Sequence, residues 1–253
     1  DCAGIVPALA WPERPQQGIS IQTRCYAHML DRFGQDADWI AFIDADEFLC
    51  PARPLDGLRP WLAALPEDAG VVYLNWKTYG SGGRTDPGFG TVHARFGFRA
   101  AQAHDANSHY KSLLRVAGAD GPLNPHHTAP RVGWRGVQAD GSDLVPAGQG
   151  LGRSARVIWD GLWINHFVVK SEAEFWHKKV SRGLPVLGER ARDQGFFARH
   201  AGHDAYDPLD GPLHDRLVRE IAALKARLDD LPPAILDLDL AIRDLKVPEL
   251  PPG

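Results

Sequence analysis

The sequence predicts an α/β fold that ends in a helical tail. Apolar residues recur at helical spacing over residues 19–33, and the apolar run that follows, up to Ile43, is typical of a buried strand. Helix-like and strand-like segments alternate further along the chain, and leucines at heptad spacing over residues 217–231 indicate one more helix. We therefore predict a mixed sheet flanked by helices within residues 1–205, followed by a helical extension over residues 206–253.

Local patterns place the next elements. Residues 55–65 have helical character and stop at Pro66, which cannot continue a helix. Residues 71–76 are rich in β-branched and aromatic side chains and therefore favour a strand. The glycine-rich residues 80–83 predict a turn or a flexible loop after that strand.

The second half of the main domain continues the alternation. Residues 111–116 predict a strand, whereas residues 117–155 predict a long loop, because Gly, Pro, Asp and His are frequent and apolar periodicity is weak. Further on, Ser171 and Glu174 form the capping-box pattern of a helix start. We expect that helix to continue to about Arg182.

Composition limits the class of protein. A content of 44% hydrophobic and 24% charged residues is ordinary for a soluble globular domain. A net charge of −4 argues against a general nucleic-acid binder, whose surface would be basic. No apolar stretch approaches the roughly 20 residues that span a bilayer, and three widely spaced cysteines do not form a disulfide framework. We expect a cytoplasmic protein without a transmembrane segment.

Three acids, Asp44, Asp46 and Glu47, follow the apolar run of the first predicted strand. Like charges this close repel each other unless a cation joins them. Carboxylates spaced by one residue suit a hard ion such as Mg²⁺ or Mn²⁺, which keeps open positions for the oxygens of a diphosphate. Alternatively, Asp44 and Asp46 are surface acids that cap the next turn, since Asp is common at such positions.

The acids belong to a string that resembles the Asp-x-Asp-Glu-Phe signature of glycosyltransferase family 92 and of the related family-2-like glycosyltransferases: Ile43-Asp44-Ala45-Asp46-Glu47-Phe48-Leu49. Later segments fall in the order that this group shows, so that the resemblance covers residues 15–185. These segments are Gln22 and Tyr26, residues 75–83, Tyr110-Lys111-Ser112, residues 165–171 and residues 178–183.

The resemblance implies a GT-A fold and a metal-dependent transferase. Such an enzyme moves a sugar from a nucleotide diphosphate sugar to an acceptor hydroxyl, with inversion of the anomeric carbon, in polysaccharide or glycoconjugate synthesis. The implied cofactor is Mn²⁺ or Mg²⁺, and the implied partners are a nucleotide-sugar donor and a saccharide or glycoconjugate acceptor. Peripheral association with a membrane would follow from a lipid-linked acceptor.

The start of the chain departs from the family pattern. Few residues precede the helix predicted over residues 19–33, whereas a GT-A domain opens with strands that bind the nucleotide. We therefore expect these nucleotide-binding strands to be missing from this chain. The alternative function is a truncated or degenerate domain that binds saccharides or proteins without catalysis.

The resemblance implies that Asp44, Asp46 and His166 are the metal ligands. His166 also fits a core position, because a lone His in an apolar strand is more often packed than ligating. Glu47 is expected to orient a ligand or a loop, although a solvated charge is the alternative.

The candidate substrate-binding residues are basic, aromatic or glycine. Basic side chains near a helix start can hold an anion, although a solvated helix face shows the same pattern. An aromatic face can stack on a sugar, and glycine permits close approach of the backbone. The tryptophan fits a core position equally well. The set comprises Lys111, Lys170, Lys178, Arg182, Trp76, Gly82 and Gly83.

An inverting transferase also needs a base that takes the proton of the acceptor hydroxyl. Asp86, in the loop after the glycine-rich run, is one candidate, and Asp105 and Glu47 are others. The remaining conspicuous residues are histidine pairs without a third partner, so we do not predict a zinc site. These pairs are His126 with His127 and His104 with His109.

Two other classes fit the acid run less well. Phosphatases of the haloacid-dehalogenase type share a strand followed by Asp-x-Asp, but they expect Thr or Val where this chain has Phe48. An EF-hand loop requires a central Gly and a Glu at its twelfth position, and both are absent here.

Overall fold

A long central strand, β3 (Ala69–Thr78), organises the main part of the fold. The computed structural model describes residues 20–52, 58–177, 193–202, 204–209 and 211–229. The chain divides into two compact units, Asp1–Pro208 and Leu209–Gly253. The first unit is a mixed α/β structure, as predicted, and the second contains helix α6 (Gly211–Asp229).

The described part of the first unit opens with helix α1 (Ile21–Phe33), which confirms the helix predicted from periodicity. The hydroxyl of Ser20 caps this helix by accepting a hydrogen bond from the backbone N–H of Thr23 at 3.1 Å. A 3-10 turn (Gly34–Asp36) then leads into strand β1 (Trp39–Ala41).

The strand that was predicted to run to Asp44 ends at Ala41. Asp44 and Glu47 instead flank a turn, in which the backbone N–H of each residue donates to an oxygen of the other. The N–H of Glu47 donates to the carbonyl of Asp44 at 2.9 Å, and the N–H of Asp44 donates to Oε2 of Glu47 at 2.9 Å. Asp44 and Asp46 therefore lie between β1 and a second strand, β2 (Glu47–Pro51), whose first residue is the third acid.

Strand β3 pairs with neighbours along both of its edges. On one edge it pairs antiparallel with β5 (Tyr110–Arg115). On the other it pairs in parallel first with β8 (Arg135–Gln138) and then with β9 (Leu162–His166). Strand β1 extends the sheet beyond β5, and β2 extends it beyond β9, both antiparallel. The resulting order is β1-β5-β3-β9-β2, with β8 beside β3.

The prediction of an uninterrupted loop over residues 117–155 is wrong. Strands β6 (Ala119–Pro122) and β7 (Thr128–Pro130) form an antiparallel hairpin, and β8 joins the main sheet. Strands of three or four residues that contain Gly and Pro are too short to show alternation. Strand β8 is held by pairing with β3, which no local pattern reveals.

Shorter elements complete the sheet-bearing part. Helix α2 (Arg59–Ala63) lies within the predicted residues 55–65, of which residues 55–57 fall outside the described part. Helix α3 (Val92–Arg95) precedes strand β4 (Phe98–Arg99). Strand β4 pairs antiparallel with β10 (Ala205–Tyr206).

Helix α4 (Glu172–Phe175) begins with the predicted capping box. The hydroxyl of Ser171 accepts from the N–H of Glu174 at 3.2 Å, and the N–H of Ser171 donates to Oε2 of Glu174 at 3.2 Å. Most of the predicted continuation lies outside the described residues. Helix α5 (Gln194–His200) follows.

Helices cover both faces of the sheet. One face buries Leu74 among its core residues and is covered by Trp61 of α2. The opposite face buries Tyr73 and is covered by Leu30 of α1. The predicted mixed sheet flanked by helices is therefore present.

Helix α6 confirms a helix over most of the predicted residues 217–231. Among the residues that the structure describes, no helix is both long enough and apolar enough to cross a bilayer.

Candidate functional site

Three acidic side chains meet in the turn between β1 and β2. Asp46 and Glu47 are buried, at 5% and 2% exposure, whereas the side chain of Asp44 is 40% exposed. Buried carboxylates are costly unless other groups compensate their charge. The partners of these carboxylates therefore decide what the turn can bind.

Lys111 supplies an internal cation to this acid cluster. Its side chain is 1% exposed, and its Nζ lies 3.1 Å from Oδ2 of Asp44 and 3.5 Å from Oε2 of Glu47. Burial acts to lower the pKa of Lys111, but Glu47 and Asp44 together raise that pKa above its usual value. The structure thus places this predicted phosphate ligand against the acids, where it stays charged.

Glu47 is the carboxylate most perturbed by its surroundings. Burial raises its pKa to about 7, and the negative charges of Asp44 and Asp46 add to the effect. Lys111 and the N–H of Asp44 oppose the shift. Its Oε1 is buried and accepts no hydrogen bond from any described residue. Glu47 can therefore gain or lose a proton near neutral pH.

Gln22 of helix α1 reaches Asp44 and also bonds to Tyr26 of the same helix. Nε2 of Gln22 donates to Oδ1 of Asp44 at 2.8 Å and to the hydroxyl of Tyr26 at 2.6 Å. The ring of Tyr26 stacks on Phe42, with centroids 4.3 Å apart. Both carboxylate oxygens of Asp44 are therefore engaged, one by Gln22 and the other by Lys111.

Asp46 faces His166 across the paired strands β2 and β9. Glu47 is the register partner of His166, and the N–H of Phe167 donates to the carbonyl of Asp46 at 2.9 Å. These contacts bring Oδ1 of Asp46 to 3.9 Å from Nε2 of His166, and both residues are buried. The separation is too long for a direct hydrogen bond.

The pair fits a small divalent cation. Ions of this kind bind imidazole nitrogen and carboxylate oxygen at about 2.1 Å, so two such ligands can lie up to about 4.2 Å apart. Within the described ranges, no group of three or more His, Cys, Asp or Glu side chains is placed to hold a metal. Asp46 and His166 could supply two protein ligands at most, and Mg²⁺ is commonly bound by one or two carboxylates with phosphate and water in its remaining positions.

An aromatic cluster lies on the same face of the sheet, around Trp76. His109 stacks on the indole at 4.9 Å between centroids, His166 lies at 4.0 Å, and His126 meets its edge at 5.4 Å. The backbone N–H of Trp76 donates to the backbone carbonyl of His109 at 2.9 Å, which holds the two residues in register. Trp76 thus contacts His166 and two further imidazoles.

Sequence reasoning missed this cluster. The sequence suggests pairs of histidines that are near each other along the chain, such as His126 and His127. In the structure, His127 instead stacks on Tyr73 and hydrogen-bonds to the hydroxyl of Tyr110. His104 accepts a hydrogen bond from a backbone N–H of the next turn. The sequence did contain a signal for this contact. One predicted strand ends at Trp76 and another begins just after His109, so antiparallel pairing of the two strands brings Trp76 and His109 together.

The predicted loop residues lie on the surface. Gly82 and Gly83 have φ angles of +60° and +74°, which confirms the predicted turn, and both are exposed. Asp86 is exposed and accepts a hydrogen bond from the Thr85 hydroxyl. Backbone hydrogen bonds join this loop to the first residues of helix α4. Asp105 pairs with Arg153.

Lys170 directly precedes Ser171, the N-cap of helix α4, as predicted. It has a φ of +59°, the one positive φ of a non-glycine side chain in the described part of the chain. Lys178 and Arg182 lie outside the described residues.

We expect Lys170→Gly to be more stable than Lys170→Ala by about 1 kcal/mol, because glycine adopts positive φ without the clash that a Cβ causes. Both variants lose the ammonium, so the comparison isolates the backbone strain. Urea unfolding monitored by circular dichroism measures the difference. An alanine variant at least as stable as the glycine variant would show that the conformation is not strained.

No protein-family model matches the sequence, and no curated protein sequence matches it significantly.

Proposed function

We propose that this chain is a metal-dependent glycosyltransferase domain with a GT-A-like fold, which transfers a sugar from a nucleotide diphosphate sugar. The observation that carries the proposal is the buried pair of Asp46 and His166, with donor atoms 3.9 Å apart beside further carboxylates. Two protein ligands leave a Mn²⁺ or Mg²⁺ ion enough open positions for diphosphate oxygens. The resemblance of residues 43–49 to the Asp-x-Asp-Glu-Phe signature supports the same chemistry.

Each residue of the site then has a role. Asp46 and His166 would hold the ion, which when bound supplies positive charge to the departing diphosphate. Asp44, the third predicted ligand, is oriented by Lys111 and Gln22 and can face the ion or its water shell. The ammonium of Lys111 offsets part of the negative charge of Asp44 and Glu47.

Basic residues would bind the phosphates that the ion leaves exposed. Among the described residues the candidate is Lys170, next to helix α4. We propose Lys178 and Arg182 in addition, from the sequence pattern. An ammonium or guanidinium there stabilises the charge that develops on the leaving group.

The acceptor hydroxyl must lose a proton as its oxygen bonds to the anomeric carbon and the diphosphate leaves with the bonding electrons. Glu47 is one candidate base, since its pKa of about 7 suits proton transfer at neutral pH. Asp86 is the other, because its exposed carboxylate is open to a substrate.

Calorimetric titration of UDP and GDP, with and without Mn²⁺, tests the proposal. We expect Mn²⁺-dependent binding of one nucleotide by the wild-type chain and a loss of about 100-fold in Asp46→Asn and in His166→Gln, because each removes a ligand. Asp143→Asn, an exposed acid paired with Arg135, is the matched control and should bind as wild type does. A folded wild-type chain that binds neither nucleotide would refute the proposal.

One observation favours a second function, a saccharide-binding or protein-binding module without catalysis. Lys111 already occupies the position between Asp44 and Glu47 where a cation would otherwise be needed. Saccharide binding that is unaffected by Mn²⁺ and by EDTA, without nucleotide binding, would select this alternative.

A further inference from the structure

Two of the three imidazoles around Trp76, those of His109 and His126, hold the Nδ1 proton in the same way. Nδ1 of His109 lies 3.1 Å from the carbonyl of Ala106, and Nδ1 of His126 lies 3.2 Å from the carbonyl of Tyr110. A carbonyl oxygen only accepts, so both Nδ1 atoms must carry the proton. In the neutral ring, each Nε2 is then left with a lone pair.

Each Nε2 lone pair is an acceptor position that a ligand could use. No residue in the described part of the chain hydrogen-bonds to either atom, and neither is among the fully buried polar atoms without a partner. Burial, followed for His126 by the charge of Lys111, lowers the pKa of that imidazole to about 4, and burial also lowers the pKa of His109. We call these two residues the histidine pair.

Neutral nitrogen acceptors select among the chemical groups of a substrate. A diphosphate at neutral pH offers oxygens without protons, so it repels an imidazole lone pair. A sugar hydroxyl donates a hydrogen bond and satisfies that lone pair. The histidine pair is therefore complementary to the sugar and not to the phosphates.

We propose that Nε2 of His109 and Nε2 of His126 bind hydroxyl groups of a sugar in the substrate. This inference rests on the proposed function, and it assigns the sugar to the histidine pair and the diphosphate to the neighbourhood of Asp46. The hydroxyls belong either to the donor sugar or to the acceptor saccharide.

Paired substitutions separate binding from packing. In His126→Asn the amide can still donate to the carbonyl of Tyr110, but the acceptor at Nε2 is gone. In His126→Gln the amide oxygen can occupy the place of Nε2. The same logic applies to His109→Asn and His109→Gln, whose amides face the carbonyl of Ala106.

The probes are UDP and GDP, their glucose, galactose, N-acetylglucosamine and mannose conjugates, and these four sugars free in solution. Calorimetry in Mn²⁺ measures how much the sugar adds to nucleotide affinity, and ¹⁵N spectra of labelled histidine detect contact at Nε2. We expect each Asn variant to lose about 5- to 10-fold of the sugar-dependent affinity, the size of one hydrogen bond, with UDP or GDP binding unchanged. The Gln variants should stay within about 3-fold of wild type.

The outcomes distinguish the two proposals. A shift of the Nε2 resonances with nucleotide sugars alone assigns the pair to the donor, and a shift with free sugars assigns it to the acceptor. Sugar-induced shifts without any nucleotide binding would support the pair and refute the transferase. Nucleotide-sugar binding that is equal in wild type and Asn variants, or an absence of shifts with every probe, would overturn the role of the histidine pair.

Discussion

Lys111→Met is expected to destabilise the protein by about 3 to 5 kcal/mol at pH 8, the usual cost of removing one partner from a buried ion pair. Methionine has a similar length but no charge, so it leaves the carboxylates of Asp44 and Glu47 beside an apolar chain. Glu47 is 0% exposed at its side chain and cannot recover hydration without opening the turn. Urea unfolding of both proteins measures the loss.

The same variant should depend on pH in a defined direction. The pKa of Glu47 rises from an ordinary 4.5 to about 7 on folding, so the folded state holds this proton more tightly than the unfolded state. The stability contributed by protonation is complete below about pH 4.5 and is lost as the pH rises through 7. Without Lys111 this pKa rises further, so the deficit of Lys111→Met should be larger at pH 8 than at pH 5.5.

A double variant provides the control for charge. Glu47→Gln keeps an oxygen that can accept from the N–H of Asp44 but removes the negative charge. We expect Lys111→Met combined with Glu47→Gln to be more stable than Lys111→Met alone. If the two are equally unstable, the lysine contributes by packing and the ion pair is not the cause.

The sequence predicted those parts of the fold that depend on neighbours along the chain. Helix α1, with its cap at Ser20, and the capping box at Ser171 involve residues three positions apart, so their patterns can be read locally. Strands β3 and β5 are buried and rich in apolar residues, which also leaves a local signal. The acids after β1 were recognised because they interrupt an apolar run.

Features that depend on strand pairing were not predicted from local residue patterns. The contact of Lys111 with the acids requires β1 to pair with β5, and the contact of Asp46 with His166 requires β2 to pair with β9. The cluster around Trp76 requires the register of β3 with β5. These registers are set by the packing of the whole sheet, so residue types alone indicate the chemistry of the site but not its partners.

A buried amide on β3 illustrates how the sheet positions the site. Asn75 is 0% exposed and precedes Trp76. Its Nδ2 lies 2.8 Å from Ser154 Oγ and 3.2, 3.3 and 3.4 Å from the carbonyl oxygens of Asn107, Ser108 and His109, which share its two hydrogens. Its Oδ1 accepts from Nε2 of Gln138 at 3.1 Å and from the N–H of Ile158 at 3.0 Å. One side chain thus ties two irregular segments to the central strand.

Asn75→Ala is expected to lower the free energy of unfolding by about 3 to 5 kcal/mol, because the N–H of Ile158 loses its acceptor, at about 1 to 3 kcal/mol, and other buried groups each lose one hydrogen bond, at about 1 kcal/mol. The N–H of Ile158 has no substitute partner in the described structure, and water would have to enter the cavity to reach it. Gln102→Ala, which removes one exposed hydrogen bond to the carbonyl of Val157, is the control and should change stability by less than about 0.5 kcal/mol.

Asn75→Ala should also change the surroundings of the His109 imidazole, since the carbonyl of His109 accepts hydrogen bonds from both Asn75 and the backbone N–H of Trp76. Urea unfolding gives the stability of Asn75→Ala, and ¹⁵N histidine spectra of its folded fraction report the environment of His109. We expect the His109 resonances to shift in this variant and to stay unchanged in Gln102→Ala. A loss below about 1 kcal/mol, the value of a single net hydrogen bond, together with unchanged His109 resonances would mean that Asn75 does not organise this part of the site.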